Sequence, residues 1–348
     1  LISLLLAFSM MLTFLPAGAV SAFAEEPIDP SEEKILKSGD SITKGGVYRL
    51  QGDYKNTGIK INTSESVIIN IAAGDNVTFE LEGYSEVPYL LDVVNNSNLT
   101  VQNKGTYTGS TFLHTSKESV NANVTIHGGS YNIKSSRLRD PCAFSFEAGG
   151  DVNPIVVDGV HIEAGPSCSG IQAGSGSTAP KVKIKNSTIN VLGNGYLGGA
   201  INMVNSQTSV ILDNVTAQAT LNSPILVGGG HLTINSGRYT SDESSVVSST
   251  HVTWDHVPKV TINGGEFIGN SPESSTLWFG QYNSILEIHG GTFTSTKYGQ
   301  VLYNYDGQVT IDNAVEMPKF YSEGGTADAI VNDRFGKMKF DNGIIQVS

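Results

Sequence analysis

One phrase, close to V-T-I-x-[G/N]-G-x-[F/Y/I], recurs along this chain and constrains its fold more than any other feature. Its instances include LTVQNKGTY (99–107), VTIHGGSY (124–131), VKIKNSTI (182–189), VTINGGEF (260–267) and LEIHGGTF (286–293). Marking each instance by its third residue gives nine positions from 101 to 311, a mean period of about 26 residues. Periods of this size belong to solenoids, in which each unit buries its apolar face only against its neighbours. The phrase alternates with a two-residue rhythm and is rich in β-branched residues, so the units are built of strands.

In VTIHGGSY this parity turns Val124 and Ile126 inward, Thr125 and His127 outward, and Tyr131 inward again after a bend. The bend position reads Asn103, Gly128, Gly159, Asn186, Asn214, Ser236, Gly264, Gly290 and Asn313, mostly the residue types that tolerate positive φ. A second apolar stretch precedes each phrase, as in Phe144-Ser145-Phe146, Leu277-Trp278-Phe279 and Val301-Leu302-Tyr303, and the residues after the bend make a third. The predicted fold is therefore all-β: a right-handed parallel β-helix, or solenoid, with about 26 residues and three short strands per coil. Composition agrees, since 39 glycines serve the turns and 39% hydrophobic residues suffice for a core. Charged residues at 16% exclude a coiled coil or a disordered polar chain.

These phrases resemble the coils of the pectate-lyase-like superfamily of right-handed parallel β-helices. More narrowly, they are similar to Gly-Gly-Thr-Phe-rich modules of secreted and surface proteins of Gram-positive bacteria. The resemblance covers residues 45–348 and matches Asn186, Asn214 and Asn313 to the stacked asparagine ladders of that fold. It implies function carried on loops, and, in the polysaccharide lyases of the superfamily, an Arg or Lys base with Ca²⁺ held by carboxylates. Residues 25–44 are expected to be a linker in which SEEKILKS (31–38) forms a helix capping the first coil. The last residues, DNGIIQVS, carry no such cap, and the expectation is a solenoid truncated at that end.

Residues 1–24 are uncharged and apolar and end in Ala22-Phe23-Ala24, the small-x-small pattern of a signal-peptidase site, followed by Glu25 and Glu26. This predicts a signal peptide, a secreted or cell-surface protein, and no stable membrane span after cleavage, since Pro16 and Gly18 break the apolar run. The expected initial Met and basic residues are missing, and the leader reads as cut short upstream. A net charge of −12 argues against nucleic acid as a partner.

Equivalent inward residues of stacked coils form columns, one of them Tyr107, Tyr131, Ile162, Ile189, Ala217, Tyr239, Phe267, Phe293 and Met317. Cys142 and Cys168 are 26 residues apart, one period, which allows either a disulfide between adjacent coils or two buried thiols.

Local motifs are weak. Gly193, Gly195 and Gly198 fit a dinucleotide fingerprint, but a strand follows where a helix is needed. His161 and Glu163 with Cys168 make half a deaminase signature without its second cysteine. Two features keep catalysis open. The outward column beside the bend holds His127, Asp158, Lys185, Asp213, Asn235, Asn263, His289 and Asp312, and Asp158 with Asp213 suits a glycosidase pair, or else a surface charge ladder. Loop 135–142 carries Arg137 and Arg139 in an otherwise acidic chain. For glycan binding the candidates are Trp278, turned outward by parity, with Asn202, Gln281 and Tyr282 around it; the alternative is a Trp covered by the loop 270–276.

Three functions follow in order: a non-catalytic extracellular module binding polysaccharide or glycoprotein glycans, adhesin-like; a polysaccharide lyase or glycoside hydrolase; and a structural stalk. No metal site and no cofactor are expected, Ca²⁺ entering only with the lyase alternative.

Overall fold

The computed structural model describes residues 33–82, 89–134, 141–150, 152–174, 179–192, 198–204, 207–249, 257–325 and 327–348. Within the compact unit Lys34–Ser348 the chain is a right-handed parallel β-helix. Its strands stack into three parallel sheets of 13, 12 and 12 strands. Each coil visits the sheets in the same order: Asn98–Asn103 in the first, Thr106–Gly109 in the second, Thr111–Thr115 in the third. The phrase VTI lies in the first sheet and its terminal aromatic in the second, so the bend between them is the corner of the coil.

Parity decides which side chains fill the interior. Val124 and Ile126 are fully buried while Thr125 is half-buried and His127 exposed. Along the second sheet the register runs Tyr107, Tyr131, Ile162, Ile189, Ala217, Tyr239, Phe267 and Phe293, as the repeat predicts. The next member is Phe320 and not Met317, which is 41% exposed. The loop after Asp312 is longer than its predecessors, so counting from the phrase places the inward residue three positions early. Tyr239, Phe267, Phe293 and Phe320 stack face to face, with centroids 5.0, 4.8 and 5.0 Å apart and planes within 18°. Lower in the helix Phe112 and Phe144 of the third sheet wedge edge-on against Tyr107 and Tyr131, 4.9 to 5.1 Å away.

The corner takes two forms. In the middle coils Gly128, Gly159, Asn186 and Asn214 adopt left-handed φ of 67°, 68°, 50° and 54°. In later coils the bend moves one residue on, to Gly237, Gly265 and Gly291, with φ of 130°, 111° and 103°. Those values exceed what Asn tolerates, and a glycine after the predicted position lets the chain use them. Asn186 donates to Asp158 Oδ1 and Asn214 to Asn186 Oδ1, each at 3.0 Å, a short amide ladder. Asn313 lies outside it, because Ser236, Gly264 and Gly290 intervene with no amide to pass the pattern on.

The expected capping helix is replaced by strand. Lys34–Ile35 pairs parallel with Tyr48 and Arg49, so the solenoid starts before residue 45, and Leu36 is buried in the core. The alternation Ile35 out, Leu36 in satisfies a sheet edge, which outweighs the weak helical signal of so short a segment.

Cys142 and Cys168 are both buried thiols and are not joined. The strand register sets Cys142 opposite Ser169, so a one-residue offset turns the sulfurs out of bridging geometry. Cys168 Sγ instead contacts the carbonyl of Pro166 at 3.3 Å. Burial pushes the Cys142 thiol up to about 12.

Candidate functional site

The outer face of the third sheet carries a column in which Asn202, Leu226, Ser248, Trp278 and Tyr303 occupy one position on successive coils. Side chains at this position point away from the core, as alternation requires. What differs along the column is the cover. Asn202 and Leu226 are 1% and 5% exposed, and Gly199 packs closely against both side chains. Asn202 also donates to Ser169 Oγ at 3.0 Å. Trp278 and Tyr303, farther along, are only half-buried.

Around these two aromatics the chain forms a groove of about 420 Å³. Three loops that enter the third sheet on successive coils make its wall: Ser244 and Ser245 from the first, Glu273, Ser274 and Ser275 from the second, Tyr298 and Gln300 from the third. Ser248, Trp278 and Tyr303 form its floor. Each loop is held internally: Ser241 Oγ accepts from Ser244 N at 3.2 Å, Ser271 Oγ from Ser274 N at 3.1 Å, and Ser295 Oγ from Gly299 N at 3.0 Å. A serine hydroxyl accepting from the backbone in each of the three loops helps to hold the groove's wall. Tyr303 donates its hydroxyl to Asp333 Oδ2 at 3.1 Å; burial and this bond both raise its pKa above the ordinary tyrosine value.

Of the residues expected around a sugar platform, Trp278 is in the groove. Asn202 is not: it is three coils away and covered. Gln281, 4% exposed, and Tyr282, 58% exposed, are both outside the lining. Tyr303 was within reach of the same parity argument, since it occupies the position of Trp278 one coil on. The serines, Tyr298 and Gln300 belong to loops, whose paths no alternation encodes.

The catalytic candidates separate. Arg137 and Arg139 lie outside the described residues, as do Gly193 and Gly195. Asp158, Lys185 and Asp213 are consecutive in register, so the backbone positions of the two carboxylate residues are about 9.6 Å apart, twice the strand spacing. Both are engaged. Lys185 Nζ is 3.1 Å from Asp158, His127 Nδ1 3.8 Å from Asp158, and Lys183 Nζ 3.1 Å from Asp213. Partial burial opposes ionisation of Asp158, but hydrogen bonds from Asn186 and Lys185 outweigh it and hold the carboxyl below its usual range. A glycosidase acid needs the opposite shift. The column has the geometry of an alternating surface charge ladder.

One site escaped the sequence reading. His114, outward on the third sheet, is 6% exposed, with Nδ1 2.8 Å from Asp92 Oδ1 and Tyr89 stacked on its ring at 3.9 Å. Glu147 Oε1 lies 3.8 Å from Nε2. Among the described residues no group of three or more His, Cys, Asp or Glu is placed to hold a metal ion, and no helix is long and apolar enough to cross a membrane. The chain matches no protein-family model, no curated protein and no solved structure.

Proposed function

We propose that this chain is a non-catalytic extracellular β-helix module that binds glycans in the Trp278 groove, within the pectate-lyase-like superfamily and akin to Gram-positive surface modules. The observation that carries the reading is the floor and wall of one groove: a half-buried indole and two tyrosines set among serine hydroxyls. Pyranose rings offer an apolar face and an equatorial fringe of hydroxyls, and an aromatic platform with a polar rim complements both. Exposed large aromatics cost solubility and are kept where a partner covers them. The apolar leader with its Ala22-Phe23-Ala24 site supports export to the cell surface or medium.

The test is a glycan array probed with residues 25–348 and with Trp278→Ala. Retention of an oligosaccharide that falls at least tenfold in the variant supports the reading, provided unfolding free energy changes by no more than about 1 kcal/mol, as for a partly exposed side chain. Retention unaffected by Trp278→Ala overturns it, as does release of reducing ends or unsaturated uronides from pectin, alginate or xylan.

A further inference from the structure

We infer that the groove selects glycans by charge, taking amino sugars in their ammonium form ahead of neutral sugars and rejecting uronates. The inference rests on the glycan reading above and adds a substrate class to it. Its basis is the sign of the groove's polar groups. Among the described lining residues there is one carboxylate, Glu273, and no lysine or arginine. A uronate or sulfate ester needs cationic donors, best a bidentate guanidinium, and would meet none here.

The rest of the lining also favours a cationic or neutral ligand. The Tyr303 proton is committed to Asp333, so the phenolic oxygen faces a ligand as an acceptor, and Asp333 adds negative charge behind it. Arg334, the cation beyond, places its guanidinium 4.4 Å from the Tyr305 ring centroid and is not part of the lining. Trp278, Tyr298 and Tyr303 line the groove, and aromatic π systems attract an ammonium group and do nothing for a carboxylate. Glu273 is exposed at the rim. Long-range attraction acts in the same direction, since the whole chain carries −12. The groove spans three coils, with floor residues about 9.6 Å apart from Ser248 to Tyr303, so its ligand is an oligosaccharide lying along the helix axis.

The experiment compares glucosamine oligomers, cello-oligosaccharides and oligogalacturonates of equal length at mildly acidic pH, at low and at high salt. The expected order is glucosamine, then neutral, with no oligogalacturonate binding. Glu273→Gln should erase about threefold of preference for glucosamine, the worth of one exposed ion pair. Oligogalacturonate bound as tightly as the neutral oligomer overturns the charge selection while leaving the glycan reading intact. So does a glucosamine preference that Glu273→Gln leaves undiminished. Failure of all three oligomers to bind, or binding indifferent to Trp278→Ala, removes both.

Discussion

The indole of Trp278 lies over the backbone of Gly280, with Cζ2 and Cη2 standing where a side chain at position 280 would begin. Glycine there is a condition of the groove and not of the turn. Any Cβ would overlap the far end of the ring, which can swing away, whereas the backbone can stay. Gly280→Val is therefore expected to displace the indole, shift its fluorescence and abolish glycan retention, at a stability cost of about 1–2 kcal/mol. Unchanged retention on the array would show that the ring's present pose is irrelevant.

Phe267 sits mid-column, with Tyr239 and Phe293 stacked against its two faces at 5.0 and 4.8 Å. Truncation leaves a hole that neither rigid neighbour can fill. Phe267→Ala should cost about 3–5 kcal/mol in urea unfolding, against little for Tyr282→Ala at an exposed site. Equal midpoints for the two variants would contradict the column.

Asp158, Glu287 and Asp312 all have carboxyl pKa values below the ordinary range. For Asp158 and Glu287 partial burial is offset by hydrogen bonds, from Asn186 and Lys185 and from Lys259 and Thr261; for Asp312 the bond from His289 dominates. The folded state thus binds these protons less readily than the unfolded chain. Their contribution is complete above the unfolded carboxylate pKa of about 4 and is lost as pH falls through the lower folded values. Stability measured from pH 7 downward should stay level and then drop on the acid side, and Asp158→Asn should flatten that drop. A loss of stability between pH 5 and 7 that Asp158→Asn removes would contradict the assignment.

Cys142 and Cys168 should both resist iodoacetamide in the native protein, because both are buried and the Cys142 thiolate is disfavoured at neutral pH. After unfolding without reductant, mass spectrometry should find two carbamidomethyl groups. A mass showing none would mean a disulfide and a register other than Cys142 opposite Ser169.

The period, the inward column as far as Phe293 and the outward turn of Trp278 were legible because alternation is a local property of the chain. The place of Met317 was not, since it depends on how many residues a loop spends between coils, whereas the ladder stops after Asn214 because Ser236, Gly264 and Gly290 carry no amide. Asn202 shares the parity of Trp278 and was grouped with it on that ground. Parity says which way a side chain points, but not which coil it is on or what packs against it, and Gly199 packs against Asn202 while Trp278 stays accessible. Ser244, Ser274 and Gln300 left no periodic trace, as loop residues seldom do.

The ladder hydrogen bonds of the three sheets link one coil to the next, so they run along the axis of the solenoid between its two ends, Lys34 and Ser348. Tension applied through those ends loads the bonds of a terminal coil a few at a time, as in opening a zipper, and not all together in shear. Coils separated by the 28, 26 and 27 residues between Tyr239, Phe267, Phe293 and Phe320 would each release about 90 Å of extended chain as they peel. The protein under load is thereby a yielding tether, lengthening in even increments at low force while the coils that hold Trp278 remain wound until their turn comes.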